Sequence, residues 1–295
     1  VRVFMAERAS IKKGILYIVA TPIGNLEDIS LRAIRTLKEV NLIAAEDTRH
    51  TRKLLNACKI STSLISLHEH NEKEKSELII SKINSGMNVA YVSDAGTPCV
   101  SDPGHYLIGF AHDENIRVIP IPGPSAIITA LSASGFSADS FLFCGFMPAR
   151  ENKRRKFMES LKDEERTIVF YESPMRFLDS LKTLQEVLGN REIVMARELT
   201  KIFEEVKRGK ISEFLAGKAK LKGEITIIIQ GEQKAPVTLT DEEIISKLKS
   251  FLKNKQLSLR DAVAEVVSQT GISKKKVYDL ALRLRWGGEA TKRVG

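Results

Sequence analysis

The sequence predicts an α/β protein of two sheet-containing domains followed by a small helical appendage, and three observations carry that prediction. The chain has 295 residues, and at about 150 residues per domain this length holds two compact units or three. Apolar runs of four to seven residues, rich in Val and Ile, alternate with segments of helical period through most of the chain. After a stretch containing Gly and Pro the pattern becomes wholly helical.

In order, the first strand is LYIVA (residues 16–20), followed by a helix over residues 30–40. Further strands are expected at 42–45, 64–67, 89–92 and 118–121, with helices at 48–57, 72–85 and 105–113 between them. Such short strands with little polar alternation imply burial on both faces, as in a parallel sheet covered by helices. A helix of small residues opens at Ser125 and Ala126 and ends in LSASG, so the N-terminal domain is expected to span 15–135. A second α/β domain, residues 136–232, begins with FLFCGF (141–146) and continues through strands 167–171, 192–197, 203–208 and 224–230. Residues 198–202 are too few for a helical crossover, which predicts antiparallel pairing there. GEQKAPVTLT (231–240) lacks periodicity and reads as a linker. The appendage, residues 240–295, shows three helices at 241–252, 259–268 and 274–285. Ser258 is placed to cap the second, Gly271 to end it and Ser273 to cap the third. That spacing is of the helix-turn-helix kind. Residues 1–14 carry mixed charge and no apolar h-region, and are expected to be an N-terminal extension, not a secretory signal.

Composition narrows the class. The chain is 43% hydrophobic and 28% charged, and no apolar run approaches the roughly 20 residues that cross a bilayer, so a soluble protein is expected. Cys58, Cys99 and Cys144 are odd in number and far apart, which argues against disulfides or a CxxC metal site and fits a reducing cytoplasm. His68 and His70 lack a third ligand at a recognisable interval, so no metal is expected. The formal net charge of +9 points to a polyanionic partner. Residues 240–295 hold 12 Lys and Arg against 7 Asp and Glu, or +5 of that charge. Lys274, Lys275 and Lys276 stand beside Val277, Leu280 and Ala281, so one face of the last helix can pack while another meets phosphate. A solvated bundle without a partner fits the same pattern. Two further basic clusters lie at residues 49–53, with Arg49 and Arg52, and in RENKRRK (150–156), with Lys153, Arg154 and Arg155. The latter has no interleaved aromatics and would grip backbone more than stack bases.

In an open α/β sheet, ligands sit beyond the carboxyl ends of the strands, which directs attention to three loops. ATPIGN (20–25) follows the first strand and is neither GxGxxG nor a P-loop. SDAGTPCVSDPG (93–104) is stiffened by two prolines and lets backbone approach a ligand at its glycines. Of its two aspartates, Asp102 directly precedes Pro103 and a helix and is expected to cap it. IPGPSA (121–126) opens the small-residue helix, which permits close packing against a flat ligand or against the sheet.

Together with VATPIGNLEDIS (19–30), AAEDTRHTRKLL (44–55), YESPMR (171–176) and ARELTKIFEE (196–205), these loops resemble the tetrapyrrole methylase superfamily. Within it they are similar to the bacterial small-subunit rRNA 2'-O-cytidine methyltransferase branch, over about residues 15–232. The resemblance implies two α/β domains of the tetrapyrrole methylase type with S-adenosylmethionine in the cleft between them. It also implies a homodimer, and methylation of a cytidine ribose 2'-hydroxyl in the decoding region of small-subunit rRNA. A helix-turn-helix-like extension agrees with that branch. By motif position, cofactor contacts are expected from Pro22, Ile23, Gly24, Asp94, Gly96, Thr97, Val100, Ser125 and Ala126, then from Tyr171, Glu172, Ala196 and Gly223. TPIGN replaces a more glycine-rich turn of the wider superfamily. The donor is a sulfonium cation, and neither TPIGN nor SDAGTPCVSDPG contains a basic residue. Competing readings are a tetrapyrrole substrate for the same cofactor, or an RNA-binding protein without catalysis.

A ribose hydroxyl needs a positioned proton acceptor. The candidates are Asp94, Glu172 and Glu198, with Asp94 first, although a carboxylate there equally suits the donor's amino group or sulfonium. Arg49 and Arg176 are better suited to RNA contact, because arginine stays charged.

Overall fold

The computed structural model describes residues 12–217, 221–233, 239–254 and 257–287. Most of the expected extension at 1–14, half of the linker at 231–240 and the tail after 287 lie outside the described residues. The chain divides into two compact units, Val1–Glu232 and Gln233–Gly295.

The first unit holds two five-stranded sheets. One is built from β1 (Ile15–Val19), β2 (Leu42–Ala45), β3 (Leu64–Ser66), β4 (Val89–Val92) and β5 (Arg117–Ile121). Its order is β3-β2-β4-β1-β5 with every pairing parallel. Helices α1 (Leu31–Glu39), α2 (Thr48–Ala57), α3 (Glu72–Asn84) and α4 (His105–Asp113) intervene. Leu16, Val89 and Tyr91 enter one apolar cluster while Val19, Ile43 and Val92 enter another, so the sheet is covered on both faces, as its continuous Val and Ile runs predict. Side-chain caps start α1 and α2: Ser30 Oγ accepts from the Ala33 N–H at 3.1 Å, and Asp47 Oδ1 from that of Arg49 at 2.8 Å. Each such cap stabilises by about 1 kcal/mol.

The start of α4 corrects one expectation. Asp102 does not cap it; the cap position is Gly104, at φ 118°, and the Glu72 carboxylate accepts the N–H groups of Gly104 and Tyr106, both at 2.9 Å. The cause is steric. A Cβ at residue 104 would lie 2.2 Å from Cε1 of the buried Tyr91, so the chain makes its left-handed turn at this glycine and Asp102 is left outside the helix.

The second sheet contains β6 (Phe141–Phe146), β7 (Thr167–Glu172), β8 (Glu192–Arg197), β9 (Glu205–Lys210) and β10 (Ile225–Ile229), in the order β6-β7-β10-β8-β9. Only β6 and β7 run parallel; β7–β10, β10–β8 and β8–β9 are antiparallel. The predicted strand 203–208 lies two residues later, because pairing begins with Arg197 opposite Glu205, where the guanidinium donates to the carboxylate at 3.0 Å. Helices α6 (Glu151–Glu159), α7 (Phe177–Leu188) and α8 (Ile211–Ala216) complete this part of the unit. Helix α5 (Ala126–Ser134), grouped by sequence with the first domain, packs Ile127, Ala130 and Leu131 against Val169, Val194 and Ile228 of the second sheet.

The second unit is a bundle of α9 (Asp241–Asn254), α10 (Leu259–Thr270) and α11 (Lys274–Gly287). Its own core includes Ile244, Leu248, Val263, Val266, Val277 and Leu280. Ser258 caps α10 through the Asp261 N–H at 3.2 Å, and Gly271 ends it at φ 67°. Among the described residues no helix is long and apolar enough to cross a membrane.

Candidate functional site

Strands β4, β1 and β5 are neighbours and parallel, so the three loops singled out by sequence rise from one edge of the sheet. They are tied together there. Thr21 and Gly96 exchange backbone hydrogen bonds at 2.9 and 3.0 Å, and Thr97 Oγ1 donates to the Pro124 carbonyl at 3.3 Å. The central loop is strained, with non-glycine residues Cys99 (φ 69°) and Ser101 (φ 66°) in the left-handed region.

Between these loops and the second sheet lies a cavity of about 390 Å³, within the range of small-molecule sites. Ile23, Asp94, Gly96, Thr97, Val100, Ser125 and Ala126 line it from the loop side. Tyr171, Glu172 and Gly223 line it from the other, because antiparallel pairing sets Glu172 at the end of β7 beside Ile225 at the start of β10. Three sequence candidates for cofactor contact do not line it. Pro22 sits one residue before the wall; Gly24 packs on the turn after β8, where an added Cβ would meet Lys201 Cγ at 2.5 Å; Ala196 is buried in the β8 core.

The charge on this cavity is one-sided. Glu46, Asp94 and Asp102 contribute carboxylates, and no Lys or Arg is among the described residues lining it. Burial, then Asp102 and Asp94, raise the Glu46 carboxyl above the usual range. Burial and Asp94 raise that of Asp102, against a hydrogen bond from Ser93 that opposes the shift. Asp94 Oδ1 accepts the Asp47 N–H at 2.9 Å. Across the cavity Tyr171 is pushed up to about 12 by burial and by the charges of Asp102 and Glu224. Its ring forms an aromatic wall with Phe143 and Phe146, at centroid distances of 5.1 and 5.3 Å. Such a pocket suits a cation with a flat apolar portion. Among the described residues no group of three His, Cys, Asp or Glu side chains is arranged to hold a metal ion.

Two of the three candidate proton acceptors are engaged elsewhere. Glu172 is buried; it accepts from Ser180 Oγ, from the Ser173 N–H at 2.7 Å and from the Arg176 guanidinium at 3.0 Å. These bonds hold the turn that forms the cavity floor. Glu172→Ala is expected to lower stability by about 2–3 kcal/mol, since it orphans a buried hydroxyl and a partly buried cation; urea unfolding checks this, and a change under about 0.5 kcal/mol would refute it. Glu198 stands behind the cavity wall, under Gly223, whose φ of 87° and lack of Cβ leave room for its carboxylate. It accepts from Lys201 Nζ at 2.8 Å and from the Glu224 N–H at 3.0 Å, which hold it below the usual carboxylate range.

The basic residues spread around the unit. Arg49 is 89% exposed at the start of α2 and pairs with Asp47 at 2.9 Å; Arg52 is exposed on the same helix. Lys153 is exposed on α6 and Arg155 pairs there with Glu186. Arg154 corrects the expectation of an RNA contact. It is 5% exposed and donates to Thr183 Oγ1 at 3.2 Å and to the Ala149 carbonyl, because the helical register turns it inward with Met158. In the helical unit Lys274 and Lys275 are exposed, and Lys276 pairs with Asp241 at 3.0 Å.

Sequence reasoning missed Glu46 and Phe146 as lining residues and assigned Asp102 to a cap. The signal for Glu46 was present: it follows β2 directly, much as Asp94 comes two residues after the end of β4.

Residues 15–215 match the family model of the Tetrapyrrole (Corrin/Porphyrin) Methylases, and residues 251–285 match that of the RsmI C-terminal HTH domain. Ribosomal RNA small subunit methyltransferase I of Halalkalibacterium halodurans is 45% identical over 273 residues, covering 91% of this chain and 94% of the relative. The protein of the same name from Haemophilus influenzae is 44% identical over 276 residues, covering 91% and 96%. The uroporphyrin III C-methyl transferase structure from Thermus thermophilus has 18% identity and a TM-score of 0.53 over 74% of this chain and 97% of that one, a likeness of fold alone. With the first sheet and four strands of the second inside the span matched by the family model, and near relatives alike over nine-tenths of its length, this chain belongs to the tetrapyrrole (corrin/porphyrin) methylases.

Proposed function

We propose that the protein transfers a methyl group from S-adenosylmethionine to the ribose 2'-hydroxyl of a cytidine in the decoding region of small-subunit rRNA. The observation that carries this reading is the carboxylate-lined cavity, with no basic side chain among its described lining residues, and the exposed Arg49 and Arg52 on the helix that follows Glu46 and Asp47. When bound, the donor supplies a methyl group on a positively charged sulfur. Asp94, Gly96, Thr97, Ser125 and Ala126 would hold it, with Tyr171 as the apolar wall, while the carboxylates favour its charge. Residues 15–135 and 136–232 are the domains flanking the donor, and 240–295 an RNA-binding appendage. The names of the close relatives support small-subunit ribosomal RNA as the substrate class.

A homodimer belongs to this reading, supported by large apolar side chains in solvent: Met175 at 91%, Ile202 at 96% and Phe203 at 73% exposure. Sedimentation should give twice the chain mass, and a monomer at micromolar concentration removes this part. For the activity, donor carrying a labelled methyl group is incubated with isolated small ribosomal subunits in the cytoplasmic salt range. Label is expected in 2'-O-methylcytidine. Label on a porphyrin or corrin ring instead would favour the tetrapyrrole reading, and RNA binding without label a non-catalytic one.

A further inference from the structure

We propose that Asp102 is the proton acceptor for the ribose hydroxyl, a role that rests on the methyl-transfer reading above. Asp102 lines the cavity, and helix α4 makes no use of it, because Glu72 accepts the N–H groups of Gly104 and Tyr106 at 2.9 Å. The loop reaches it through left-handed backbone at Cys99 and Ser101, a conformation that side-chain-bearing residues keep where surrounding structure imposes it.

Three carboxylates line the loop side, and their surroundings separate them. Asp94 has one oxygen committed to the Asp47 N–H at 2.9 Å, as expected of a fixed charge facing the donor. Glu46 follows β2, beyond β4 in the sheet. Asp102 lines the same cavity with its carboxylate released from the start of α4, and its charge acts on Tyr171 of the opposite wall. Among the described residues, the titratable groups that share its cavity or interact with it electrostatically are Glu46, Asp94, Glu72, Tyr91, Cys99, Tyr171, Glu172 and Glu224. None is a cation, and burial together with Asp94 raises its carboxyl above the ordinary aspartate range, against a hydrogen bond from Ser93, which favours its acting as a proton acceptor. In the step, the 2'-O–H bond breaks and its proton passes to an Asp102 oxygen. The electron pair left on the ribose oxygen forms the bond to the methyl carbon, and the pair of the broken carbon–sulfur bond stays on sulfur.

The test is single-turnover methylation of isolated small subunits between pH 5.5 and 9, with calorimetric donor affinity measured on the same proteins. For the unaltered protein the rate should rise with pH and level off above the pKa of Asp102. That carboxyl should itself titrate above the ordinary aspartate range by carbon NMR of the protein without donor, with the signal assigned by its loss in Asp102→Asn. Asp102→Asn should bind donor within about fivefold of normal, lose at least about 100-fold in rate at pH 7, and keep climbing through pH 9 without levelling. Asp102→Glu, which keeps a carboxylate, should retain a levelling profile, so a folding defect in the amide variant does not decide the matter. A rate for Asp102→Asn within threefold of normal, or a loss accounted for by donor affinity alone, overturns the proposal. Absence of both donor binding and label with the unaltered protein overturns the methyl-transfer reading instead.

Discussion

Ser125→Trp is expected to abolish S-adenosylmethionine binding while leaving the protein folded. Ser125 lines the cavity at the entrance to α5, in extended backbone at φ −147° that tryptophan adopts without strain, and its hydroxyl makes no capping bond to the helix. The substitution therefore removes little from α5, yet projects an indole into a cavity of about 390 Å³ already walled by Tyr171. The donor and the ring cannot share that volume. A loss of at least a thousandfold in affinity, about 4 kcal/mol, is expected by calorimetry, with a melting temperature within a few degrees of normal. Affinity within tenfold would mean that the adenosine lies elsewhere and would remove the cavity as the donor site.

Deleting residues 240–295 should leave donor affinity unchanged and weaken RNA engagement. The helical unit has its own apolar core around Val263 and Leu280, and the described residues lining the cavity belong to the first unit. Lys274 and Lys275 stand exposed at the start of α11, where they add to the positive end of the helix dipole. Each lost phosphate contact should reduce the salt dependence of binding by about 0.9 in log–log slope, and two or three such contacts correspond to roughly 10- to 100-fold in affinity near physiological salt. Binding of small subunits by the truncated protein across a salt series measures this. Full affinity and full methylation rate at every salt concentration would show that the appendage is not an RNA-binding element.

Asp94 offers a smaller contrast. Asp94→Asn is expected to weaken donor binding by about tenfold, through loss of a fixed charge in a site with no Lys or Arg among its described lining residues. Near-normal affinity with a rate loss recovered at higher pH would instead make Asp94 the base.

Local pattern determined a large part of this protein. Uninterrupted Val and Ile runs predict strands covered on both faces, and β1, β2, β4 and β5 are so covered. Ser30, Ser258 and Gly271 mark helix ends through bonds that span a few residues, and these ends lie where the residue types place them. The loop after β4 is legible as a site because ligands gather at strand ends whatever the strand order. In each case the deciding interaction is short-range, so the residue types carry it.

What only the tertiary structure decided depends on contacts between distant residues. The strand order β3-β2-β4-β1-β5 brings the end of β2 beside the end of β4, and that adjacency puts Glu46 into the cavity. The role of Asp102 turned on Tyr91, whose ring excludes a Cβ at residue 104, and on Glu72, which takes over the start of α4 from 32 positions away. Glu172 and Glu198 carry the same residue type as a free base, but Arg176 and Ser180 engage one, and Lys201 with the Glu224 N–H the other. Arg154 belongs to a basic run in sequence and to the interior in space, since the 3.6-residue period of α6 turns every third or fourth side chain toward α7. Charge and hydrogen-bonding capacity are written in the chain; whether a side chain is free to act depends on which partners the packed fold brings within reach.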